Sequence, residues 1–323
     1  MPPQRAFVGI DLGGTNMQIG VVDADMKVLG EAKKKTKPEE GVEGVLARIA
    51  EGVNEACAAA GVTTIAALGI GAPGVIDPEK GVVVEAVNLR WNDVPLAELL
   101  SKRLKTKVAV DNDVNVAVWG ENKLGAGKNS NNLLGVWIGT GIGGGLVLNG
   151  RLHYGHWFSA GEIGHTVLFP FLPLGERTLE NNASRTSVTE RIVRLIRSNH
   201  KSKLTSELGD DPLKWTNEVK SKVIAKHYRG GEREDKLVVE VVDHVAEMVG
   251  VSVANAVTLL SLERIILGGG LTEATGKPFV DRVAEAARRV VFPRLAQGVD
   301  IVASRLEDRA GVIGAAMLAM DRK

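Results

Sequence analysis

Apolar and polar positions in the first third of the chain follow two different periods. Residues 6–12 and 64–70 form short apolar runs typical of buried strands, and residues 17–23 alternate between apolar and polar side chains. Residues 41–60 repeat apolar side chains at helical spacing, and Gly61 follows where a helix C-cap is expected. The pattern predicts a mixed sheet flanked by helices, with strands at 6–12, 17–23, 27–33, 64–70 and 107–111, helices at 41–60 and 95–104, and irregular strand near 81–87.

The same pattern starts again in the middle of the chain. Residues 132–139 predict a strand, a glycine-rich turn follows, and residues 144–148 predict a returning strand. Strand, glycine turn and strand thus occur twice, at 6–22 and at 132–149, which indicates an internal duplication. The remainder is predicted to be mainly helical at 184–260, with a strand at 263–267 and an apolar terminal helix at 310–320.

Composition narrows the functional classes. The 323 residues are enough for two domains, and 40 basic against 39 acidic side chains leave a formal charge of +1. Because nucleic-acid-binding domains normally carry a basic excess, we expect no nucleic-acid partner. Cys57 is the only cysteine, which excludes an internal disulfide and a multi-cysteine metal site. We find neither a signal-peptide run nor a stretch of the ~18 apolar residues that a membrane span needs, so we expect a cytoplasmic protein with no membrane partner.

The first glycine motif, Asp11-Leu12-Gly13-Gly14-Thr15-Asn16, lies between two predicted strands. Gly13 and Gly14 at a hairpin tip would let backbone N–H groups approach a phosphate, because no side chain blocks them. Asp11 is placed to hold Mg²⁺ through water, and Thr15 could donate a hydrogen bond to a phosphate oxygen. An ordinary tight hairpin would have the same sequence, so this motif alone leaves both interpretations open.

A second glycine run extends from Gly139 to Gly145 and formally satisfies the dinucleotide-binding pattern G-x-G-x-x-G. That pattern requires a helix after the glycines, whereas residues 146–150 predict a short strand and a hairpin turn. We therefore disfavour a dehydrogenase and predict a second phosphate hairpin. Two such hairpins facing each other across a cleft would hold a triphosphate from both sides.

Asp111-Asn112-Asp113 closes a predicted strand and opens a helix. Ligands bind at the carboxyl edge of open α/β sheets, so Asp113 could accept the proton of an attacking hydroxyl while Asn112 binds neighbouring hydroxyls. The alternative is that Asp111 or Asp113 caps the helix.

Two further acidic positions, Glu162 and Glu180, accompany His165. Carboxylates and an imidazole can bind the vicinal hydroxyls of a sugar in matched donor and acceptor pairs. A single histidine before an apolar strand is more often structural, but the neighbouring motifs favour sugar binding.

These motifs occur in the order found in the ROK (repressor, open reading frame, kinase) family of sugar kinases, which the chain resembles over nearly its whole length. The matching segments are Asp11 to Asn16, Gly71 to Asp77, Asn88-Leu89, Asn112-Asp113, Gly139 to Gly145, Glu162-x-Gly164-His165, Glu180 and Gly268 to Gly270. The resemblance implies Asp113 as catalytic base. It implies sugar contacts from Gly74, Asn88, Asn112, Glu162, His165 and Glu180. It implies nucleotide contacts from Asp11, Gly13, Gly14, Thr15, Asn16, Gly139, Thr140, Gly141, Gly143, Gly268, Gly269 and Gly270.

The chain departs from this family at its zinc motif. The family usually has C-x-C-G-x-x-G-C-x-E before the glutamate that aligns with Glu180, but the three cysteine positions here hold Phe171, Pro173 and Thr178. None of these can replace a thiolate on zinc. We therefore expect no structural zinc, and we expect residues 169–173 to hold the loop by apolar packing.

The resemblance implies the actin-like, ribonuclease-H-like α/β fold, with two lobes around a central cleft. We expect an N-terminal lobe of residues 1–115 plus 308–323 and a C-terminal lobe of residues 116–307. The implied function is an ATP-dependent hexose kinase that uses Mg²⁺ and acts on glucose first among the candidate sugars. Family members are often homodimers, so a homodimer is expected.

Two other functional classes share some of these motifs. The same family contains sugar-responsive repressors, which carry a helix-turn-helix ahead of the phosphate loop, whereas only ten residues precede Asp11 here. A non-catalytic nucleotide- or sugar-binding protein, or an ATPase of the actin-like superfamily, would not need both Asn112-Asp113 and the Glu162 to His165 motif. The sequence therefore favours the kinase.

Overall fold

A computed structural model describes residues 5–209 and 211–322. The β-strands in these ranges are β1 (Ala6–Leu12), β2 (Asn16–Val22), β3 (Val28–Lys35), β4 (Ile65–Ala72), β5 (Val75–Asp77), β6 (Val82–Ala86), β7 (Trp91–Val94), β8 (Val108–Asn112), β9 (Leu133–Ile138), β10 (Ile142–Leu148), β11 (Arg151–Leu152), β12 (Arg264–Gly268) and β13 (Asp300–Ala303). The α-helices are α1 (Gly41–Ala60), α2 (Leu96–Leu104), α3 (Asp113–Leu124), α4 (Leu179–Ala183), α5 (Arg185–Arg197), α6 (Trp215–Glu218), α7 (Ser221–His227), α8 (Lys236–Leu260), α9 (Gly269–Val290) and α10 (Ala310–Asp321).

Two five-stranded sheets share one topology. The first has the order β3-β2-β1-β4-β8, and the second has the order β11-β10-β9-β12-β13. In each sheet the central strand pairs antiparallel with the strand that follows it in sequence and parallel with the strand on its other side. The predicted internal duplication is therefore confirmed at the level of strand order and direction.

Helix α10 packs its backbone directly against a row of glycines in the first sheet. Gly20, Gly9 and Gly69 are register neighbours on three adjacent strands. A Cβ at Gly9 would lie 1.9 Å from the carbonyl oxygen of Val312, and one at Gly69 would lie 1.7 Å from that of Ala315. Only glycine allows α10 to approach the sheet this closely, because any side chain would occupy the position of helix backbone. The predicted terminal helix at 310–320 is thus confirmed.

A small three-stranded sheet, in the order β5-β6-β7, follows β4. The sequence predicts only irregular strand near 81–87, because these strands are three to five residues long and show no sustained alternation of apolar and polar residues. Gly74 enters this sheet at a φ of 98°, and a Cβ there would lie 2.1 Å from the carbonyl oxygen of Glu85. Glycine is therefore required at the turn between β4 and β5.

The second sheet packs against long helices rather than a glycine row. Helix α9 contacts β9, β12 and β13, and α8 crosses α9 where Gly250 lies close to Ala286. Gly276 interrupts α9 at a φ of 64°, just before Pro278. The core of this part is a continuous cluster of apolar side chains from the sheet and from α4, α5, α8 and α9.

The chain divides into two compact units. The described residues of the first are those up to Asn129, Leu152–Ala160 and those from Asp308 onward; the second holds Ser130–Arg151 and Gly161–Glu307. The expected lobe boundary after residue 115 falls inside α3, and the whole of that helix lies in the first unit. Helix α3 belongs there because it packs against α10, where a Cβ at Gly314 would meet the carbonyl oxygen of Val116 at 1.7 Å.

Across residues 5–209 and 211–322, every helix is too short or too polar to cross a bilayer.

Candidate active site

The first glycine hairpin connects β1 to β2. The Gly13 N–H donates to the Asn16 carbonyl at 3.0 Å, and the Thr36 hydroxyl donates to the Gly13 carbonyl at 2.6 Å, which fixes the turn from outside. Gly14 lies against Asn88, since a Cβ at Gly14 would be 3.2 Å from the Asn88 Cβ. Thr15 and Asn16 are exposed. The hairpin is therefore rigid at its base and open at its tip.

Three strands of the first sheet end in register at their carboxyl edge. Asp11 of β1 pairs with Gly71 of β4, which pairs with Asp111 of β8. A Cβ at Gly71 would lie 3.0 Å from the Asp113 Cα, so this glycine makes room for the start of α3. The arrangement brings the carboxylates of Asp11 and Asp113 to the same edge.

These two carboxylates have raised pKa values. Burial, with a smaller contribution from the charge of Asp113, raises the pKa of Asp11 to about 7. Burial also raises the pKa of Asp113, against the opposing effect of hydrogen bonds such as the one from the Val114 N–H at 2.9 Å. A carboxylate with a raised pKa is a better proton acceptor, which is the property that a general base needs.

Asn112 is the N-cap of α3. Its side-chain Oδ1 accepts from the N–H groups of Val114 and Asn115 at 2.8 and 3.0 Å, and its Nδ2 donates to the Gly74 carbonyl at 3.0 Å. The alternative that Asp111 or Asp113 caps this helix is therefore wrong. The asparagine has the cap position because its amide can accept from the helix and donate to the β4–β5 turn at once.

A residue group around Asp111 was not found from the sequence. The Tyr154 hydroxyl donates to Asp111 Oδ2 at 2.7 Å, and Arg322 Nη2 donates to the same oxygen at 3.1 Å. On the other side, Asp111 Oδ1 accepts from the Asn112 N–H at 2.8 Å and from Asn115 Nδ2 at 3.1 Å. Neither Tyr154 nor Arg322 belongs to a recognisable motif, so no local sequence signal could have identified them.

The second glycine hairpin connects β9 to β10 in the second unit. The Gly139 N–H donates to the Gly141 carbonyl at 2.9 Å, and Gly143 lies in β10 opposite Trp137. A strand follows the glycines, as predicted, so the dinucleotide-binding alternative is excluded for this run. Glu180 Oε2 accepts from the Ile142 N–H at 2.7 Å and would lie 2.3 Å from a Cβ at Gly141, so Glu180 is attached to this hairpin.

The segment from Gly161 to His165 lies against the same hairpin. A Cβ at Gly164 would lie 2.0 Å from the Ile142 carbonyl oxygen, and one at Gly144 would lie 2.1 Å from the Gly161 carbonyl oxygen. The His165 side chain is exposed, and its backbone N–H donates to the Glu162 carbonyl at 3.2 Å. Close glycine packing thus places the segment that carries Glu162 and His165 against the second glycine hairpin.

A cavity of 770 Å³ lies beside this hairpin within the second unit. Two of its lining residues bind the hairpin: Arg185 Nη2 donates to Thr140 Oγ1 at 3.1 Å, and the Thr186 hydroxyl donates to the Thr140 carbonyl at 2.8 Å. On its other side, a Cβ at Gly270 would lie 3.7 Å from the Ser221 Oγ. The cavity wall consists of Arg185, Thr186, Thr189, Glu190, Thr216, Asn217, Lys220, Ser221, Lys222 and Val223.

The glycines that end β12 permit close approach. A Cβ at Gly268 would lie 2.6 Å from the Trp137 ring, and Gly269 has a φ of 85°, with a Cβ position 2.7 Å from the Ile138 N. The three glycines predicted to contact adenosine therefore sit between β9 and the cavity.

The predicted site residues fall into two groups. The first unit brings together Asp11, Gly13, Gly14, Thr15, Asn16, Gly74, Asn88, Asn112 and Asp113. The second unit brings together Gly139, Thr140, Gly141, Gly143, Glu162, His165, Glu180, Gly268, Gly269 and Gly270.

The loop in place of the family's zinc motif differs from the prediction of apolar packing. Phe169 packs on the core, but Pro170 to Pro173 are exposed, and Phe171 is 98% exposed. Hydrogen bonds hold the loop instead: Arg177 Nε donates to the Leu172 carbonyl at 2.5 Å, and the Thr178 hydroxyl accepts from the Asn181 N–H at 3.2 Å as the cap of α4. The packing prediction is therefore confirmed for Phe169 and wrong for residues 170–173, because these four residues lie at the surface, where apolar side chains have no core to enter.

The described side chains do not form a preformed metal site. Within residues 5–209 and 211–322, no three His, Cys, Asp or Glu side chains converge on a point where a metal ion could bind. Asp11 nevertheless fits a magnesium ion that arrives with nucleotide phosphates, because Mg²⁺ usually takes one or two protein carboxylates and keeps waters and phosphate oxygens as its other ligands. A cation beside Asp11 would also offset the burial and the charge of Asp113 that raise its pKa.

This chain is similar to known proteins over nearly its whole length. The glucokinase of Thermotoga maritima is 34% identical over 326 residues, covering 99% of this chain and 99% of that protein. A ROK family glucokinase from Streptomyces griseus, solved in complex with glucose and AMPPNP, is 28% identical with a TM-score of 0.84, over 98% of this chain and 99% of that one. The predicted actin-like α/β fold is thereby confirmed.

Regulators are also similar to this chain. The xylose repressor of Caldicellulosiruptor bescii is 28% identical, over 96% of this chain and 76% of that protein. The sequence profile of the ROK family matches residues 7–322, a range that includes both glycine hairpins and every predicted site residue. This protein therefore belongs to the ROK family.

Proposed function

We propose that this protein is an ATP-dependent hexose kinase that transfers the γ-phosphoryl group of ATP to a hydroxyl of glucose. One observation carries the proposal: Asp113, a partly buried carboxylate with a raised pKa, lies beside Asp11 at the strand edge that also holds the first glycine hairpin. The similarity to glucokinases over nearly the full chain supports glucose as the sugar.

Asp113 is proposed as the general base. Its carboxylate takes the proton of the reacting sugar hydroxyl while the hydroxyl oxygen attacks the γ-phosphorus. The bond from the γ-phosphorus to the β–γ bridging oxygen breaks, and ADP leaves with that oxygen. Asp11 is proposed to position the magnesium of the MgATP substrate through water, and that ion neutralises charge on the phosphates.

The second unit is proposed to bind the nucleotide. The N–H groups of Thr140 and Gly141 at the hairpin tip are proposed to donate to phosphate oxygens, since those of Gly139 and Ile142 already donate to the Gly141 carbonyl and to Glu180. The 770 Å³ cavity, which begins at Arg185 and Thr186 beside Thr140, has room for the adenosine moiety. Gly268 to Gly270 would then allow that moiety to approach the backbone between β9 and the cavity.

Sugar hydroxyls are proposed to bind the polar side chains that glycine packing holds in place. In the first unit these are Asn88 beside Gly14 and Asn112 with its anchor at Gly74. In the second unit they are Glu162, His165 and Glu180. The Asn112 amide makes three hydrogen bonds that fix its orientation, and a further side-chain hydrogen bond to Asp113 places it beside the proposed base.

The substrate assignment is tested by a coupled ADP-release assay across hexoses and N-acetyl amino sugars, with Mg²⁺ and with excess EDTA. We expect glucose to give the highest kcat/KM and EDTA to abolish turnover. ADP release that is the same with and without every sugar would instead identify an ATPase. No ADP release together with specific sugar binding would identify a regulator or binding protein.

Asp113→Asn tests the base. We expect kcat to fall by ~10²–10⁴-fold with glucose binding still measurable, because the amide keeps the shape but cannot take a proton. Asp25→Asn, at an exposed turn after β2, is the matched control and should leave kcat unchanged. Near-normal turnover in Asp113→Asn would remove this residue from the reaction.

The pH profile provides an independent check on the same group. Asp113 must be ionised to act, and burial raises its pKa above the ordinary 3.8, so kcat/KM should fall with decreasing pH well above that value. Asp11, whose pKa burial and the charge of Asp113 raise to about 7, must also be ionised to hold Mg²⁺, so its protonation should add to the same loss of activity at low pH. A kcat/KM that stays constant from pH 4 to pH 8 would contradict the proposed roles of Asp11 and Asp113.

The expected homodimer and the expected cytoplasmic location stay predictions.

A further inference from the structure

The carboxylate of Asp111 is buried but does not belong to the proposed chemistry. Its side chain is 1% exposed, and it lies two residues before Asp113 at the end of β8. Burial raises its pKa, while Tyr154, Arg322 and Asn115 oppose that effect. An ion in this position is tolerated only if its hydrogen-bonding capacity is satisfied.

Each carboxylate oxygen of Asp111 accepts two hydrogen bonds. Oδ1 accepts from the Asn112 N–H and from Asn115 Nδ2, which are part of the strand-to-helix junction that carries Asp113. Oδ2 accepts from the Tyr154 hydroxyl and from Arg322 Nη2. The carboxylate thus links the junction on one side to two distant chain segments on the other.

Tyr154 and Arg322 also bind each other. Arg322 Nη2 donates to the Tyr154 hydroxyl at 2.9 Å, and Arg322 Nη1 donates to the Pro78 and Val110 carbonyls at 2.7 and 3.2 Å. Burial and the charge of Asp111 raise the pKa of Tyr154, so its hydroxyl keeps the proton that it donates. The guanidinium is therefore fixed by four acceptors, and Asp111 Oδ2 is fixed in turn.

We propose that Tyr154 and Arg322 are positioning residues for phosphoryl transfer: they hold Asp111 Oδ2, so that Oδ1 fixes the Asn112–Asn115 junction and with it the orientation of Asp113. This rests on the proposed function of Asp113 as base. Without the two donors, Asp111 Oδ2 would be a buried charge with no partner. The carboxylate would turn toward water or take a proton, and its bonds to Asn112 and Asn115 would weaken.

The second unit offers a matched control. Tyr228 is buried, its hydroxyl donates to Asp243 Oδ1 at 2.8 Å, and Arg229 Nε donates to the same carboxylate at 3.0 Å. Burial and the bond to Asp243 raise the pKa of Tyr228, as happens at Tyr154. This Tyr–Asp–Arg group has the same chemistry, and among the described residues its side-chain hydrogen bonds and ion pairs join it only to Arg282 of α9, outside the proposed site.

The experiment compares Tyr154→Phe with Tyr228→Phe in the ADP-release assay and in urea unfolding. One hydrogen bond to a charged group corresponds to about a ten-fold effect, so Tyr154→Phe should lower kcat about ten-fold with the KM for ATP within about two-fold of wild type. Tyr228→Phe should lose similar stability with unchanged kcat. Equal kcat in both variants would overturn the proposal, because Tyr154 would then be only structural.

Variants of Arg322 provide a second test of the same proposal. Arg322→Met should lower kcat at least as much as Tyr154→Phe, and Arg322→Lys should restore part of it, since lysine keeps the charge but loses the planar fork. The double variant Tyr154→Phe with Arg322→Met should be no slower than the slower single variant, because both act through one oxygen. If the losses of kcat in the two single variants instead multiply in the double variant, Tyr154 and Arg322 do not act through the same oxygen, and the proposal is overturned.

The Asp113→Asn variant in the same assay separates the proposed base from the proposed positioning residues. Normal turnover in Asp113→Asn would end the assignment of Asp113 as base. Slow turnover in Asp113→Asn beside normal turnover in Tyr154→Phe would end only the positioning role.

Discussion

The two sheets have the same strand order but differ at equivalent positions. Where β1 carries Asp11 in register with Gly71 of β4, β9 carries Trp137 in register with Gly268 of β12. The first position is a carboxylate with a raised pKa, and the second is an indole packed on a glycine. The duplicated backbone therefore carries an ionisable group at this position in one unit and an apolar packing contact in the other, which agrees with the proposed division between chemistry and nucleotide binding.

A second difference lies two residues earlier on the same strands. Gly69 of β4 corresponds to Ile266 of β12 by its pairing with the central strand. Gly69 lies under the backbone of α10, whereas Ile266 has a fully buried apolar side chain. Similar sheets can thus be stabilised either by direct helix approach or by side-chain packing, and the sheet topology does not decide which.

The largest expected effect tests the close approach of α10 to Gly69. Gly69→Val places branched carbon atoms on helix backbone, because even a Cβ would be 1.7 Å from the Ala315 carbonyl oxygen. We expect a loss of more than about 4 kcal/mol in unfolding free energy, at the extreme of single substitutions. Gly298→Ala, where a Cβ meets nothing within 4 Å, is the control and should change stability little. Urea unfolding followed by circular dichroism measures both, and a Gly69→Val protein as stable as the control would refute the close helix approach.

The next effect tests the division between chemistry and binding. Asp11→Asn should lower kcat by about 10³-fold, because electrostatic placement of the phosphates is the largest catalytic contribution in such sites. Trp137→Phe, at the equivalent strand position, should raise the KM for ATP and leave kcat within a few-fold. Steady-state kinetics in ATP and glucose separate the two outcomes. If Trp137→Phe instead reduced kcat as strongly as Asp11→Asn, the two units would not be divided in this way.

The smallest effect concerns the helix caps beside the proposed site. Asn112 caps α3 in the first unit, and Thr178 caps α4, which carries Glu180, in the second. Thr178→Ala should cost about 1 kcal/mol of stability, the usual value of an N-cap, and raise the KM for glucose a few-fold. Phe171→Ser, in the same loop but 98% exposed, should do neither. Thermal unfolding and glucose titration measure these, and a larger loss for Phe171→Ser would restore the packing account of this loop.

The strands and long helices could be predicted because their periods are local. The predicted strand at 6–12 matches β1, the predicted helix at 41–60 matches α1, and the restart of the pattern after residue 130 became a second sheet of identical topology. The short strands β5 to β7 could not be predicted, since three to five residues give too few positions to establish alternation. The exposed residues 170–173 were misjudged because apolar composition alone does not reveal whether a core lies nearby.

By itself, the sequence determined the two glycine hairpins, the strand-end aspartates and the family to which they belong, because each is written in a few consecutive residues. Only the tertiary structure decided that Asn112 caps α3, that Glu180 is bound to the second hairpin, and that Tyr154 and Arg322 hold Asp111. The partners in the Asp111 group are 43 and 211 residues away along the chain. Hydrogen bonds over such separations follow from how the sheet, α10 and the Leu152–Ala160 segment pack, and no local pattern encodes them.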